Sequence, residues 1–454
     1  MTLRPEDDRS GDRINQDDSW PGTRYAWFIV VVLMVLYIFS FVDRMIIALL
    51  VAPIKADLNL SDTAIGVLHG LAFAVFYTFV GVFLARLADS WNRTKLIAIG
   101  VFIWGLATAA SGLAGGFMTL FVARVIVGIG EATLSPAAYS MISDYFRPEQ
   151  RGRAMSVYTS GIYFGVGTAL IFGSMVIGLV SGEGAIHIPM FGEAAPWRLV
   201  FIVVGLPGLV LCIFVLLFVR EPKRRELGNA APTFAAFRTY FRARHRLYLS
   251  HFVGFSFLVM YGYALAAWTP TLLARVHAMT AAEASLKLGV VILLAAPAGV
   301  MCGSVLTQRL RKKFGLAAVL RVGMLAAIAA VLPAIFYPLA TNPMVALLLI
   351  GVTQFFISLP FGVAPAVLHE VTPNQYRGQI IAMYLFVINL IGLGLGPLLV
   401  GAMTDHVFRN ELLIHYSMLV LGFVFLPLSA FLLSRATGIF LQHDADHPAG
   451  ATTG

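Results

Sequence analysis

The sequence predicts an all-α polytopic membrane protein, with twelve membrane-spanning helices arranged as two pseudo-symmetric bundles of six. Three observations support this fold: the scarcity of charge, the length of the apolar blocks and a motif that occurs in both halves of the chain. Of 454 residues, 59% are hydrophobic and 12% are charged, whereas soluble domains carry about 25% charged residues. So few charged residues do not cover a water-soluble particle of this size, and the composition excludes a soluble enzyme.

The apolar residues form twelve blocks of the length that a membrane crossing requires. A helix rises about 1.5 Å per residue, so roughly 20 residues cross a hydrocarbon layer about 30 Å thick. The predicted spans are 25–52, 62–85, 95–115, 117–144, 152–182, 197–219, 247–275, 284–309, 315–340, 343–370, 376–405 and 412–437. Both cysteines, Cys212 and Cys302, fall inside apolar blocks and are predicted to pack there rather than to form a disulfide.

These spans divide the chain into five parts. Residues 1–24 are a polar tail, 25–219 an N-terminal six-helix bundle, 220–246 a linker, 247–437 a C-terminal six-helix bundle and 438–454 a second tail. The linker is expected to contain a short amphipathic helix at the bilayer surface. The first tail lacks the pattern of a cleaved secretory signal, so we expect the first helix to insert uncleaved.

The lysines and arginines alternate from loop to loop. Connections after even-numbered spans carry most of them, while the other connections hold only Lys55, Arg198, Arg275, Lys287 and Arg409. Because cytoplasmic loops are the basic ones, both termini are expected to be cytoplasmic. A nucleic-acid-binding surface would gather its charges on one domain, so the net charge of +9 does not indicate a nucleic-acid partner.

A short motif follows the fourth span and again the tenth. It reads Pro-Glu-Gln-Arg-Gly at 148–152 and Pro-Asn-Gln-Tyr-Arg-Gly at 373–378, and each copy leads into a glycine-rich helix. Paired six-helix halves with a site between them at mid-membrane are a plan of secondary transporters. The repeat therefore predicts a transporter. The glycines allow close helix packing, and the sequence leaves open whether this packing is static or allows the helices to slide.

Four ionisable residues are predicted inside spans: Asp43 and Arg44 in the first, and Arg124 and Glu131 in the fourth. A charge near the membrane centre costs at least roughly 3 kcal/mol, so such a group is expected to face a cavity or a partner. Arg124 and Glu131 lie two turns apart on one helix face. At the rise of a helix they lie about 10 Å and about 21 Å into the membrane, with Asp43 at a level between them. The four groups are therefore expected to form a network.

Such a network has the properties of a proton carrier. Apolar surroundings raise the pKa of a carboxyl group and a nearby arginine lowers it, so a cavity that opens to either side changes both effects. We therefore predict Asp43 and Glu131 as proton-coupling residues, with Arg44 and Arg124 as their charge partners. Two alternatives stay open: a fixed salt bridge that only holds helices together, and an arginine that binds the head group of an anionic substrate.

Charges at the span ends are candidates for a cytoplasmic gate, with solvated rim charges as the alternative. These residues are Arg86, Asp89, Arg93, Asp144, Arg151 and Arg377. Arg93 is expected to reach Asp144.

Four further residues inside spans are candidates to line the cavity: His69, Tyr263, Trp268 and Asn389. A lone intramembrane histidine more often satisfies a structural partner than a ligand, and Tyr263 and Trp268 also suit an interfacial aromatic belt. The sequence contains no phosphate-binding loop, nucleophile elbow or paired metal ligands. We therefore expect no enzyme activity, no metal and no cofactor, with the proton gradient as the energy source.

Two motifs resemble those of the major facilitator superfamily. Residues 89–95 are similar to the loop signature after its second helix, and 124–132 to its fourth-helix motif. The chain also resembles the Spinster family of proton-linked lysolipid and sphingosine-phosphate transporters, through 41–44, 87–89, 127–132, 261–270, 377–378 and 389–397. The sequence departs from the superfamily loop motif at Ser90 and Asn92, and in the second-half loop at Thr307 and Gln308.

The resemblance implies alternating access by rocking of the two halves, and proton handling by Asp43 and Glu131 with Arg44 and Arg124. We therefore expect a monomeric, multi-pass protein of a bacterial inner membrane that moves amphiphilic lysolipids with protons. The alternative within transport is a proton-linked carrier of small organic anions or drugs. The alternatives from other classes are a membrane-bound enzyme and a lipid scramblase or receptor-like protein.

Overall fold

The computed structural model describes residues 20–180, 186–188, 192–225 and 234–446. In these residues, eleven helices are long and apolar enough to cross a membrane, and a twelfth, Pro343–Ser358, is shorter. The shorter helix is followed by Ala364–Val371, and the two together have the length of one span. The predicted all-α fold with twelve spans is therefore confirmed.

The N-terminal half contains nine helices among the residues described. They are α1 Thr23–Leu49, α2 Val51–Leu58, α3 Asp62–His69, α4 Leu71–Ser90, α5 Arg93–Ser111, α6 Phe117–Glu131, α7 Leu134–Tyr145, α8 Pro148–Val180 and α9 Pro196–Phe218. Two short strands that the sequence did not predict, β1 Ile186–Ile188 and β2 Gly192–Ala194, pair antiparallel between α8 and α9.

The C-terminal half has eight α-helices in its described part. They are α10 Phe234–His277, α11 Ala281–Phe314, α12 Ala317–Phe336, α13 Pro343–Ser358, α14 Ala364–Val371, α15 Asn374–Val387, α16 Gly396–Ala402 and α17 Ile414–Asp446. The eleventh span joins α15 to α16 through a π-helical segment, Ile388–Leu395, and ends in a second one, Met403–Phe408. Two 3-10 turns, Tyr337–Leu339 and Glu411–Leu413, follow α12 and precede α17.

The two halves repeat one another in detail. The fourth span runs from Phe117 to Tyr145, and the tenth span runs from Pro343 to Val371. The first residues of the two spans are as far apart in the sequence as their last residues. Both spans are also broken in the middle, between α6 and α7 and between α13 and α14. In the tenth span the break contains Pro360, which lacks the amide hydrogen that a continuous helix uses.

The repeated arginine makes the same contact in both halves. Arg151 Nε donates to the Phe146 carbonyl at 3.0 Å, and Arg377 Nε donates to the Thr372 carbonyl at 2.9 Å. Phe146 and Thr372 each end the helix before the loop. The motif therefore ties the start of one span to the end of the previous span.

The bundle has two faces, which we name by their residues. The basic face carries Arg93, Arg151, Arg224, Arg311 and Arg377, and the distal face carries Lys55, Asp62, Arg275 and Glu411. Near the distal face, α3 of the first half crosses α16 of the second. A Cβ atom on Gly66 would lie 2.7 Å from the Pro397 carbonyl oxygen, so only glycine allows the two backbones to approach this closely.

Two predicted boundaries differ from the structure. The predicted linker ends at residue 246, but α10 begins at Phe234 and continues into the seventh span. Tyr240 stacks on Tyr376 of α15 with ring centroids 4.4 Å apart, so the second half holds this amphipathic stretch and makes it part of the span. The second tail was predicted from residue 438, but α17 continues to Asp446. Residues 1–19, 226–233 and 447–454, which belong to the predicted tails and linker, lie outside the described residues.

Candidate functional site

A buried ion pair joins the first and fourth spans. Arg44 of α1 donates from Nε to Glu131 Oε2 at 2.6 Å. Arg44 is 6% exposed and Glu131 is 2% exposed. Glu131 is the last residue of α6, so its carboxylate lies at the break in the fourth span. A break of this kind lets the helix direction change beside a charged group.

Aromatic rings surround the Arg44 guanidinium. Its central carbon lies 5.0 Å, 4.6 Å and 5.0 Å from the ring centroids of Phe41, Phe73 and Tyr77. Rings at this distance stabilise a cation, by about 2 kcal/mol when the contact is desolvated. Tyr263 of α10 faces the same guanidinium from the second half. The residues predicted for proton handling and one predicted cavity residue therefore meet between the halves.

Asp43 and Arg124 are the other two members of the predicted network, and the sequence alone does not predict how they contact each other. Arg124 Nη1 donates to the backbone carbonyl of Asp43 at 3.2 Å, not to its carboxylate. Within the described part of the chain, both Asp43 carboxylate oxygens, Glu131 Oε1 and Arg124 Nε are buried without a hydrogen-bond partner. An unpaired buried polar group costs about 1–3 kcal/mol and more when it is charged. The carboxylate oxygens among these atoms can therefore take up a proton, and each atom can form a hydrogen bond with a ligand.

The charges of the four side chains balance when all are ionised. Two arginines and two carboxylates sum to zero, and one added proton leaves a net positive charge. His69 of α3 is buried near Arg124. Because the site is enclosed in protein, the electrostatic interaction of an added charge with its neighbours is stronger there than in water.

The second half provides an apolar counterpart to these charges. Ile350 and Ile357 occupy the positions that correspond to Arg124 and Glu131 in the repeat, and both are fully buried. Asn389 lies half-buried in the π-helical segment that packs against α4.

The structure places Trp268 between two helices of the second half, and its role in lining a cavity stays a prediction. Its ring is 1% exposed, and its indole nitrogen donates to the Pro397 carbonyl at 2.8 Å. Its hydrogen-bonding group is thus used to hold α10 against α16.

A second network surrounds Arg93 on the basic face. Its fully buried guanidinium lies 2.5 Å from Asp144 Oδ2 and 2.7 Å from Glu221 Oε1. It also donates to Ser140 Oγ at 2.8 Å and to the Pro222 carbonyl at 3.0 Å. The expected contact between Arg93 and Asp144 is present, and its role in gating stays a prediction.

Residues 220–225, which follow α9, form a strap over this network that the sequence reasoning missed. Arg224 donates to the backbone carbonyls of Ala88, Asp89 and Trp91. The side chains of Arg86 and Asp89 are exposed, and neither forms an ion pair with another described residue. The signal for the strap was the acidic Glu221 directly after a span, because a buried arginine needs carboxylate partners.

Four charged residues form a ring that joins the halves at the distal face, which we call the distal latch. Asp62 is fully buried and lies 2.5 Å from Lys55 Nζ and 2.6 Å from Arg275 Nη1. Glu411 closes the ring, at 2.6 Å from Lys55 and 3.1 Å from Arg275. Lys55 and Asp62 belong to the first half, whereas Arg275 and Glu411 belong to the second.

A further carboxylate reinforces the latch. Asp405 accepts hydrogen bonds from the amide and hydroxyl of Thr63, both at 2.6 Å. It lies at the N-terminus of α3, where the helix dipole favours a negative charge. The sequence reasoning missed this contact and the latch, because the partners are far apart in the chain and lie near helix ends that meet only in the tertiary fold.

Residues 33–397 match the family model of the Major Facilitator Superfamily. The chain belongs to this superfamily. Membership makes the protein a multi-pass membrane transporter and accounts for the two repeated halves. The site described above then lies within the N-terminal bundle of a major facilitator fold, facing the other bundle.

Similar proteins within the superfamily include members of the Spinster family and other transporters. It is 27% identical to protein spinster homolog 1 of Homo sapiens over 410 residues, which cover 84% of this chain and 74% of that protein. It is 28% identical to an MFS-type efflux pump of Mycolicibacterium smegmatis, over 85% of this chain and 86% of the pump. A probable L-galactonate transporter of Escherichia coli is 26% identical and is covered to 83%.

A solved structure has the same arrangement of helices. It is a bacterial homolog of the human lysosomal transporter Spinster, in an inward-facing and unoccupied conformation. The match has a TM-score of 0.80 and 27% identity, and covers 93% of this chain and 99% of that chain. The major facilitator fold is therefore shared over nearly the whole described chain.

Proposed function

We propose that this Spinster-family protein is a proton-coupled transporter of amphiphilic lysolipids that works by alternating access. The observation that carries the proposal is the buried pair of Arg44 and Glu131, beside which Glu131 Oε1 and the Asp43 carboxylate oxygens have no hydrogen-bond partner among the described residues. A group that only held helices together would have its hydrogen-bonding atoms satisfied.

The pair links a proton to an anion. When Glu131 is ionised, it neutralises Arg44. When Glu131 takes up a proton, Arg44 keeps its charge and its ring contacts but loses its counter-ion, and the guanidinium becomes available to an anionic head group. Asp43 and Arg124 lie next to this pair, and their charges affect the same balance between the ionised and protonated forms of Glu131. Proton uptake and substrate binding are then coupled through one guanidinium.

Apolar surface between the halves supports a lipid-like substrate. Phe79 lies on the same helix as Tyr77 and meets Phe386 of the other half, with ring centroids 5.1 Å apart. Phe79 nevertheless keeps 49% of its surface exposed. An aromatic surface beside a buried guanidinium suits a molecule with an acyl chain and a charged head.

The arrangement of the halves supports an inward-facing state. The distal latch ties the halves at one face, whereas the Arg93 network stays within the first half. Because cytoplasmic loops are basic, the basic face is cytoplasmic in this proposal, with both termini inside and the chain acting as a monomer in a bacterial inner membrane. Rocking of the halves would break the latch and open the distal side.

Transport by purified protein in liposomes tests this function. An anionic lysophospholipid should cross the membrane faster when a pH gradient is imposed. Glu131→Gln should remove the dependence on the gradient. Glu283→Gln, at an exposed carboxylate paired only with Lys287 in the described residues, is the matched control and should behave as the wild type. A wild-type flux that is equal with and without the gradient would reject proton coupling.

A carrier of small organic anions or drugs is the second candidate. It is favoured by the similarity to an efflux pump and to a probable L-galactonate transporter, since a free guanidinium binds any carboxylate. Competition distinguishes the two. An excess of galactonate should leave lysophospholipid flux unchanged if the substrate is a lipid, whereas uptake of galactonate by a protein that shows no lysophospholipid flux would favour the second candidate.

A further inference from the structure

A groove lies on the outer side of the bundle, where α5 and α9 pack together near the basic face. Its volume is about 320 Å³. Its walls come from the end of α4, one side of α5 and one side of α9. The main lining residues are Trp91, Lys95, Ile99, Phe102, Cys212 and Leu216.

The groove is lined by apolar surface along its length, and basic side chains lie beside one end of it. Lys95 and Trp91 lie at the end of α4 and the start of α5, at the basic face. Phe102 lies seven residues further along α5, which is about 10 Å. Trp91 at this level suits the membrane–water interface. The groove therefore runs from the membrane surface into the hydrocarbon layer, as a bound lipid does.

Two positive charges beside this end of the groove have no acidic partner among the residues that the structure describes. Lys95 is exposed and forms no ion pair with the residues that the structure describes. Arg224 donates to the Trp91 carbonyl at 2.6 Å, and its other partners in the described part of the chain are the backbone carbonyls of Ala88 and Asp89. In contrast, the neighbouring Arg93 is already neutralised by Asp144 and Glu221. The positive charge near the groove that no described carboxylate neutralises is therefore carried by Lys95 and Arg224.

We propose that this groove binds one anionic phospholipid from the leaflet at the basic face. The phosphate lies against Lys95 and Trp91, and an acyl chain follows Ile99 and Phe102 to Cys212. Basic residues next to the membrane surface attract anionic lipids, and the apolar groove selects a molecule with a chain over a free anion. The site is separate from the ion pair of Arg44 and Glu131, so it does not depend on the proposed transport function.

The two native cysteines provide the test. Cys212 lies in the groove, whereas Cys302 lies exposed on α11. The alkylation rate of each thiol by N-ethylmaleimide is measured in the full-length protein in detergent, by mass spectrometry of the two peptides. Added phosphatidylglycerol should slow the reaction of Cys212 at least three-fold, while phosphatidylcholine should not. Cys302 reports any general effect of lipid and should react at an unchanged rate relative to detergent alone.

Variants identify the contact that selects the anion. Lys95→Gln should remove the protection by phosphatidylglycerol, while Lys95→Arg and the matched control Lys287→Gln should keep it. If Lys95→Gln fails to fold, the comparison of the two lipids on the wild type still decides. Equal protection by both lipids, no protection by either, or full protection in Lys95→Gln would each overturn the proposal.

Discussion

Arg44 is a charge placed deep in protein and held by one carboxylate and three aromatic rings. Two ions taken out of water lose several kcal/mol of hydration each, and a well-formed pair regains it only with good geometry and further contacts. Here the further contacts are the rings of Phe41, Phe73 and Tyr77. The pair is thus stable only while both members are charged, which makes Glu131 a place where one proton has a large effect.

Removing one member of the pair should cost more than removing both. Arg44→Leu leaves Glu131 charged and without its main partner, and should destabilise the protein by roughly 3–5 kcal/mol. Arg44→Leu combined with Glu131→Gln should recover much of that loss, because neither member of the pair then remains as a buried charge without the other. Unfolding titrations in mixed detergent measure the difference. A double variant as unstable as the single one would show that Glu131 does not depend on Arg44.

At the scale of elements, the contact of α3 with the second half controls the distal face. Asp62 begins α3 and is enclosed by two cations, while Asp405 holds the next residue of the same helix. Gly66 and Gly70 then place α3 directly on the backbone of the eleventh span. Charge and close packing thus act on one short helix, and in the proposed mechanism both are lost when the distal face opens.

Weakening the latch should shift the two conformations. Asp62 pairs with Lys55 and Arg275 only when the distal face is closed, so Asp62→Asn should destabilise the distal-closed state alone. The distal-open population should therefore rise at least ten-fold, which corresponds to about 1.4 kcal/mol. Distances between spin labels on the distal ends of α8 and α11 measure this. The control is Asp57→Asn, because Asp57 pairs with Arg198 inside the first half and should cause no shift. An unchanged distance distribution in Asp62→Asn would contradict the role of the latch.

Close packing at Gly66 gives an independent prediction. The added methyl of Gly66→Ala would meet the Pro397 carbonyl at 2.7 Å, so the distal side should close poorly, as seen by faster labelling of a single cysteine placed at the distal ends. Gly178→Ala is the matched control, since no atom lies within 4 Å of its methyl position. Equal labelling rates in both variants would show that α3 accommodates the added methyl group without losing its contact with the second half.

The extent to which the sequence predicts this molecule depends on how local each feature is. Arg44 and Glu131 could be expected to meet because each lies on a helix whose depth follows from the rise per residue. Lys55 and Arg275 were visible only as charges in loops, since nothing local tells which loops meet across the halves. Phe234 was assigned to a linker because its stretch is basic, and its helix is fixed instead by stacking of Tyr240 on Tyr376.

At the scale of the whole molecule, two similar halves carry different chemistry. Arg151 and Arg377 keep the same bond in both halves, whereas Arg124 and Glu131 of the first half correspond to Ile350 and Ile357 of the second. In the proposed mechanism the repeat supplies the scaffold that rocks, and the first half supplies the charges of the site. A substrate between the halves would then meet a charged wall on one side and an apolar wall on the other, which suits an amphiphile.

Proton movement that accompanies substrate movement is the most direct test of the account. A pH-sensitive dye sealed inside liposomes that contain the purified protein would report protons as a lysophospholipid is added outside. The wild type and Glu283→Gln should change the internal pH only when the lipid is present, and Glu131→Gln should bind the lipid without changing the internal pH. If Glu131→Gln moves protons with the lipid as the wild type does, the pair of Arg44 and Glu131 is not the coupling site.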